Sequence, residues 1–185
     1  MKAIIKLNML AFLIIIISCS NEANYHNESN NKKELTSIKK EKLSKDSIIN
    51  GFPCQSWVFY SKKGDLVQFE LADSFTISGI RFPPSTVIFL DSNGIMYQVY
   101  LAQDQIIQSY QCTGGKLKTA TGFYPSGKLR FFFPHQDVNI DGVLCKGGSM
   151  SGIWLYESGN LKSAYCAEDI EIEGKTFKKG ALIEF

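Results

Sequence analysis

Histidine is nearly missing: only His26 and His135 occur in 185 residues. No His-Glu-x-x-His helix, no Gly-x-Ser-x-Gly elbow and no phosphate-binding glycine loop is present, so the common hydrolase and nucleotide signatures are excluded. The acids Glu70, Asp104 and Glu168 are scattered, without the pairing that glycoside chemistry needs. Charge of one sign is also lacking. The formal net charge is +2, and setting aside Lys2 and Lys6 leaves 18 residues of each sign. A nucleic-acid surface would need a basic stripe, and none is visible. Cysteines never occur in the close pairs of a zinc site. No helical period of useful length runs through the body of the chain. These gaps leave a β-rich chain with no expected catalytic residue, cofactor or metal.

The N-terminus is more specific. Lys2 and Lys6 precede an apolar run from Leu7 to Ile17, and Ser18-Cys19 follow. A basic start, a short apolar core and a small residue at the end make an export signal. The run is too short for an ordinary membrane span, which takes ~20 apolar residues. Ile16-Ile17-Ser18-Cys19 resembles the lipobox of bacterial lipoproteins, with Ile16 where Leu is commoner. The resemblance implies that residues 1–18 are a signal peptide. It also implies that Cys19 becomes the acylated first residue, holding the protein on a membrane by its lipid. Each buried methylene contributes ~0.8 kcal/mol, and two chains are needed for a stable hold. Ser20, in place of Asp, points under the enteric sorting rule to the outer membrane. Whether the chain then faces the periplasm or the outside stays open.

Residues 19–47 read as the lipidated cysteine and a flexible tether, rich in Asn, Ser and Lys and poor in large apolar residues. From 48 to 185 the chain repeats. Turn glycines stand at Gly64, Gly94, Gly127 and Gly159, spaced by 30, 33 and 32 residues. Counting from each glycine, position +2 holds Leu66, Met96, Leu129 and Leu161. Position +13 holds Ile77, Ile107, Ile140 and Ile172. Position +15 holds Gly79, Ser109, Gly142 and Gly174. Position +18 holds Phe82, Cys112, Cys145 and Phe177. Asp46, Ile49, Gly51 and Cys54 match as a leading fragment, so four units and a fragment are expected. The segment Asp137-Val-Asn139-Ile-Asp141-Gly142 imitates the start of a calcium loop. Its twelfth position is Gly148, where a bidentate Glu would be required. Asp137 also falls in a repeat column, with Asp104 and Asp169. The motif therefore reads as turn chemistry.

Each unit reads as strand, turn, strand, turn and one short strand around the isoleucine. Positions +5 and +7 share a face by the period of two. The apolar +2 position breaks that parity, which points to a bulge. The expected architecture is all-β: an elongated stack of antiparallel β-hairpin repeats of 30 to 33 residues, each burying its apolar face on its neighbours. "YPSGKL" and "YESGNL" resemble the bacterial MORN-type repeats. That resemblance implies a hairpin ribbon in a binding or scaffolding role and supplies no catalytic residue.

Two further readings stay open. The +18 column accepts Phe or Cys, as a buried column does, yet Cys112 and Cys145 in adjacent units also suggest a disulfide in an exported chain. Positions +4 and +6 carry Tyr100, Phe131, Phe133 and Tyr165, with Lys128 and Arg130 beside them. These residues form either an exposed binding ridge or a second buried face. The expected function is an envelope lipoprotein whose repeats bind a protein or a glycan. A structural role in envelope assembly is the alternative, and a hydrolase using His135 the weakest reading.

Overall fold

The computed structural model describes residues 39–115 and 119–185. The leader, Cys19 and the tether as far as residue 38 lie outside the described residues. The described chain is all-β. Strands β1 (Lys39–Lys42), β3 (Phe52–Tyr60), β4 (Leu66–Leu71), β7 (Val87–Leu90), β8 (Met96–Tyr100), β11 (Ala120–Phe123), β12 (Leu129–Phe132), β15 (Ile153–Leu155), β16 (Leu161–Tyr165) and β19 (Leu182–Glu184) follow one another in a single antiparallel sheet. At ~4.8 Å between strands, this sheet is roughly 40 Å across. Strand β2 (Ser47–Ile49) pairs with the start of β3.

Four two-stranded hairpins interrupt that path: β5 (Phe75–Ile77) with β6 (Ile80–Phe82), β9 (Gln105–Ile107) with β10 (Tyr110–Cys112), β13 (Val138–Ile140) with β14 (Val143–Cys145), and β17 (Ile170–Ile172) with β18 (Lys175–Phe177). Each repeat thus has four strands. The fourth, at +16 to +18, is absent from the reading of the sequence. Three-residue strands are too short to display a period of two, and only the apolar +18 column betrays them.

Each of the four small hairpins closes through two residues with positive φ, Ser78-Gly79, Gln108-Ser109, Asp141-Gly142 and Glu173-Gly174, and Asn50-Gly51 closes β2 on β3 in the same way. This is the type I′ turn, whose twist matches that of the paired strands. Glycine is favoured at the second position because a side chain there is strained. Ser109 accepts that conformation at φ 76°. The long hairpins turn differently. Gly64, Gly94, Gly127 and Gly159 donate to the carbonyls three residues earlier, at 2.8–3.0 Å. The expected bulge is present in all four long hairpins, at the pairings Tyr60–Leu66, Leu90–Met96, Phe123–Leu129 and Leu155–Leu161. It turns the +2 side chain into the core, where Leu66, Met96, Leu129 and Leu161 are buried.

The core lies between one face of the long sheet and the small hairpins. Phe69, Val99, Phe132 and Ala164 at +5 meet Phe82, Ile107, Cys112, Ile140 and Cys145 from the hairpins. Phe82 packs edge-on to Phe123 at 6.3 Å, and Tyr110 lies over Phe132 at 5.0 Å. Full burial of side chains of this size contributes roughly 1.5–3 kcal/mol each.

The calcium-like segment is explained in full by backbone chemistry. Asp137 Oδ1 accepts from the Gly147 amide at 2.8 Å, Asn139 Oδ1 from Gly142 at 3.2 Å, and Asp141 Oδ2 from Leu161 in the next repeat at 2.6 Å. The Asp column recurs in this role: Asp104 takes Gly114 at 2.9 Å and Asp169 takes Lys179 at 2.8 Å. In the first unit the donor position is Pro84, which has no N–H, and the acid is replaced by Ser74.

The regular structure also begins earlier than composition suggests. Strand β1 lies inside the segment read as tether, with Lys39–Lys42 registered on Tyr60–Trp57. It occupies the second-strand place of the leading unit, where +5 is Glu41, while +7, Leu43, keeps its apolar residue and packs on the core. Lysines on an edge strand discourage further pairing, and the same lysines hide the strand from a hydrophobic pattern.

The turns give a signed test. Gly142→Val places a β-branched residue at φ 83° with open space around it, so the cost is backbone strain of ~1–2 kcal/mol. Ser109→Gly relieves the same strain and raises stability by up to ~1 kcal/mol. Urea unfolding of both variants checks the opposite signs.

Candidate functional site

The small hairpins cover one face of the long sheet; the other face carries the ridge. Register places its residues in two rows. The first runs Lys40, Phe59, Gln68, Phe89, Gln98, Gly122, Phe131, Trp154, Ser163 and Glu184, each paired to the next across the sheet. The second begins Gln55, Glu70, Val87, Tyr100 and Ala120 and ends with Tyr165 against Leu182. In the first row every long hairpin supplies one ring and one small or polar partner: Phe59 with Gln68, Phe89 with Gln98, Phe131 with Gly122, and Trp154 with Ser163.

The rings lie down on the sheet. Phe131 occupies the space that a Cβ on Gly122 would need, and Trp154 does the same over Gly152, at 2.6 Å. Phe131 stacks on Trp154 at 6.2 Å with 29° between the planes, and Phe133 meets Trp154 edge-on at 6.4 Å. Phe89 meets Tyr100 edge-on at 5.0 Å. The glycines therefore let large rings settle flat, with one face against the strands and the lesser part of their surface in water. Phe131, Phe133, Trp154, Tyr100 and Tyr165 are all half-buried, whereas Phe132 between them is fully buried.

Of the expected ridge residues, Tyr100, Phe131, Phe133 and Tyr165 share this face. Arg130 joins them, its guanidinium carbon 5.4 Å from the Phe131 ring. Lys128 does not: it is exposed in the β11–β12 turn, its carbonyl bonded to the Tyr124 amide at 2.8 Å. Trp154, Phe89, Phe59 and Tyr97 are missing from the sequence reading. Three of these rings sit five residues before the turn glycine, on first strands, where Gly122 breaks the column in the third unit. Burial holds the Tyr97 phenol above its usual range, reinforced by Tyr100 and opposed by Arg130, so its hydroxyl stays protonated and able to donate at neutral pH. At the β1 edge, Lys40 Nζ lies 4.0 Å over Trp57.

His135 has a partner. Its Nε2 is 2.8 Å from Asp104 Oδ2, joining the third repeat to the second. Both side chains are substantially exposed, and Asp104 also holds the Gly114 amide. His135, Ser109, Tyr110 and Asp137 border a cavity of about 210 Å³ beside the small hairpins. Among the described residues no three His, Cys, Asp or Glu groups gather as metal ligands. The four cysteines of this region are unbridged in the structure, and all are buried. Burial pushes Cys54 and Cys145 up to about 11 and Cys112 to about 12. Cys112 is registered on Gln105 within its own hairpin, while Cys145 faces Cys166.

No family model and no curated protein matches the chain. A solved structure described as "Crystal Structure of TarM" is similar over 92% of this chain and 27% of that one, at 11% identity and a TM-score of 0.32. The chain thus spans about a quarter of that protein's length, and so slight a likeness carries no argument.

Two neighbouring residues test the two faces. Phe132→Ala opens a core cavity and costs about 3–5 kcal/mol. Phe131→Ala removes a half-buried ring and costs about 1–2 kcal/mol. It also bares Trp154, so tryptophan emission shifts to the red and acrylamide quenching rises. Equal losses of stability for the two variants would contradict this assignment of faces.

Proposed function

We propose that this chain is a lipid-anchored bacterial envelope lipoprotein, acylated on Cys19, whose β-repeat sheet is a platform for an extended glycan. The observation that carries the reading is the open row of rings interleaved with amide and hydroxyl side chains. A sugar presents an apolar C–H face and a rim of hydroxyls. The first suits a flat half-exposed ring, the second the donor and acceptor of Gln68, Gln98 and Ser163. The sheet is long and open, which suits a polymer better than a small molecule, because small-molecule sites are concave. The face carries both signs of charge, Glu70 and Glu184 against Lys40 and Arg130, so no strongly charged ligand is favoured. The role is binding, with no catalytic residue assigned.

Anchoring is tested in cells fed an alkyne-labelled palmitate. Wild type takes up label and sediments with the outer membrane, while Cys19→Ala does neither. Label retained in Cys19→Ala would contradict the lipid assignment. Binding is tested with purified domain on insoluble peptidoglycan and on extracted surface polysaccharide. Wild type is retained on one of them, and the pair Phe131→Ala with Trp154→Ala loses affinity by at least about tenfold, the loss of ~1.4 kcal/mol or more expected for two stacking rings. Retention unchanged by these substitutions, or capture of an envelope protein with no glycan retained, would refute the glycan reading.

A further inference from the structure

The repeat sets position +18 of one unit against position +7 of the next. Cys54 is registered on Leu71 at the start of the stack, and Cys145 on Cys166 at its end. Between them, the Thr113 amide bonds the Phe133 carbonyl at 2.8 Å, as the Lys146 amide bonds Tyr165 at 2.7 Å, which sets Cys112 beside Pro134. Among the described residues, the last junction alone has cysteine on both sides.

Its geometry is favourable. Lys146 N donates to Tyr165 O and Ala167 N donates to Leu144 O at 2.8 Å, so the bonds flank the cysteine pair. That pattern defines a non-hydrogen-bonded antiparallel pair, in which Cα atoms stand ~4.5 Å apart with side chains close. A disulfide takes Cα separations of about 4.4–6.8 Å. Both cysteines are buried, 0% and 1% exposed.

We propose that Cys145 and Cys166 form a structural disulfide that fastens the fourth repeat to the third. The bond forms by exchange with a disulfide-bearing oxidant. One cysteine thiolate attacks the oxidant's sulfur, making a mixed disulfide and releasing one oxidant thiol. The second cysteine thiolate then displaces the other oxidant sulfur. The two cysteines give up two protons and two electrons, and the oxidant leaves as two thiols. In the folded reduced protein the thiol of Cys145 donates to Val143 O at 3.5 Å, and few thiolates are present at neutral pH. Exchange therefore belongs to the docking of β16 on β14, before burial is complete, and the finished bond is shielded from reductant. This inference is independent of the glycan reading. It also fixes the strand that carries Tyr165 and the partner of Trp154, so the C-terminal part of the ridge rests on it.

Trypsin separates the four buried cysteines into peptides 46–62, 82–116, 131–146 and 163–175, which makes pairing readable by mass. The full chain is refolded with oxidised and reduced glutathione, alkylated without reduction, and digested. The expected product is peptide 131–146 joined to 163–175, with Cys54 and Cys112 alkylated. Reduction is expected to lower Tm by about 10 °C, as for a disulfide closing a loop of roughly twenty residues. Cys166→Ser abolishes that difference and Cys112→Ser keeps it. Recovery of Cys145 and Cys166 as separately alkylated thiols, or of Cys145 joined to Cys112, overturns the proposal. The peptide map on unmodified protein decides the matter even where a variant fails to fold.

Discussion

Four hydrogen bonds, one per repeat, clasp the neck of each small hairpin. The amide at +21 donates to the carbonyl at +7: Ser85 to Leu71 at 2.7 Å, Gly115 to Leu101 at 2.9 Å, Gly148 to Pro134 at 2.7 Å and Gly180 to Cys166 at 2.8 Å. The donor has positive φ in all four cases, 66°, 83°, 109° and 83°. That conformation reverses the chain after the hairpin and returns it to the edge of the strand it left. Without the reversal, the next strand could not join the long sheet. The Asp column reinforces the clasp one residue earlier, at +20. The two faces follow from it, because the clasped hairpins all fold onto the same side.

Covering one side is also what leaves the other open. The apolar +5 and +7 columns go under the hairpins and are buried, and the +4 and +6 columns lie on the uncovered face, where they meet one another and water. Those columns nonetheless hold rings in the later repeats. Evenly polar residues would have sufficed for solubility, as in Gln68 and Glu70 of the first unit. Rings lying flat over Gly122 and Gly152 bury most of their surface and keep the rest available, a compromise that neither a core nor a plain surface requires.

Much of this was legible in the chain. The turn glycines, the invariant isoleucines and the parity break at +2 give the repeat, the all-β class and the bulge from pattern alone. The Asp137–Gly142 segment reads as turn chemistry because Asp104 and Asp169 share its column, and all three acids accept from the backbone amide ten residues on. What stayed hidden has physical reasons. Strands of three residues show no alternation, so the fourth strand of each unit was lost. Strand β1 was masked by its lysines. Trp154, Phe89 and Phe59 were missed because cross-strand neighbours come from different offsets, and only the register joins −5 to +4. The same blindness hid the Cys145–Cys166 junction: the two cysteines sit in different columns, +18 and +7, which are adjacent in space and eleven positions apart in the repeat.

The central claim is that one face of the sheet is sealed by the hairpins and the other is open to solvent. Hydroxyl-radical footprinting of the purified full chain, read residue by residue by mass spectrometry, tests it directly. The account predicts oxidation of Phe59, Phe89, Phe131, Phe133 and Trp154, and protection of Phe69, Phe82, Phe123 and Phe132. Protection of Phe131 and Trp154 in the free protein, or oxidation of Phe132 to the same extent as Phe131, would contradict it.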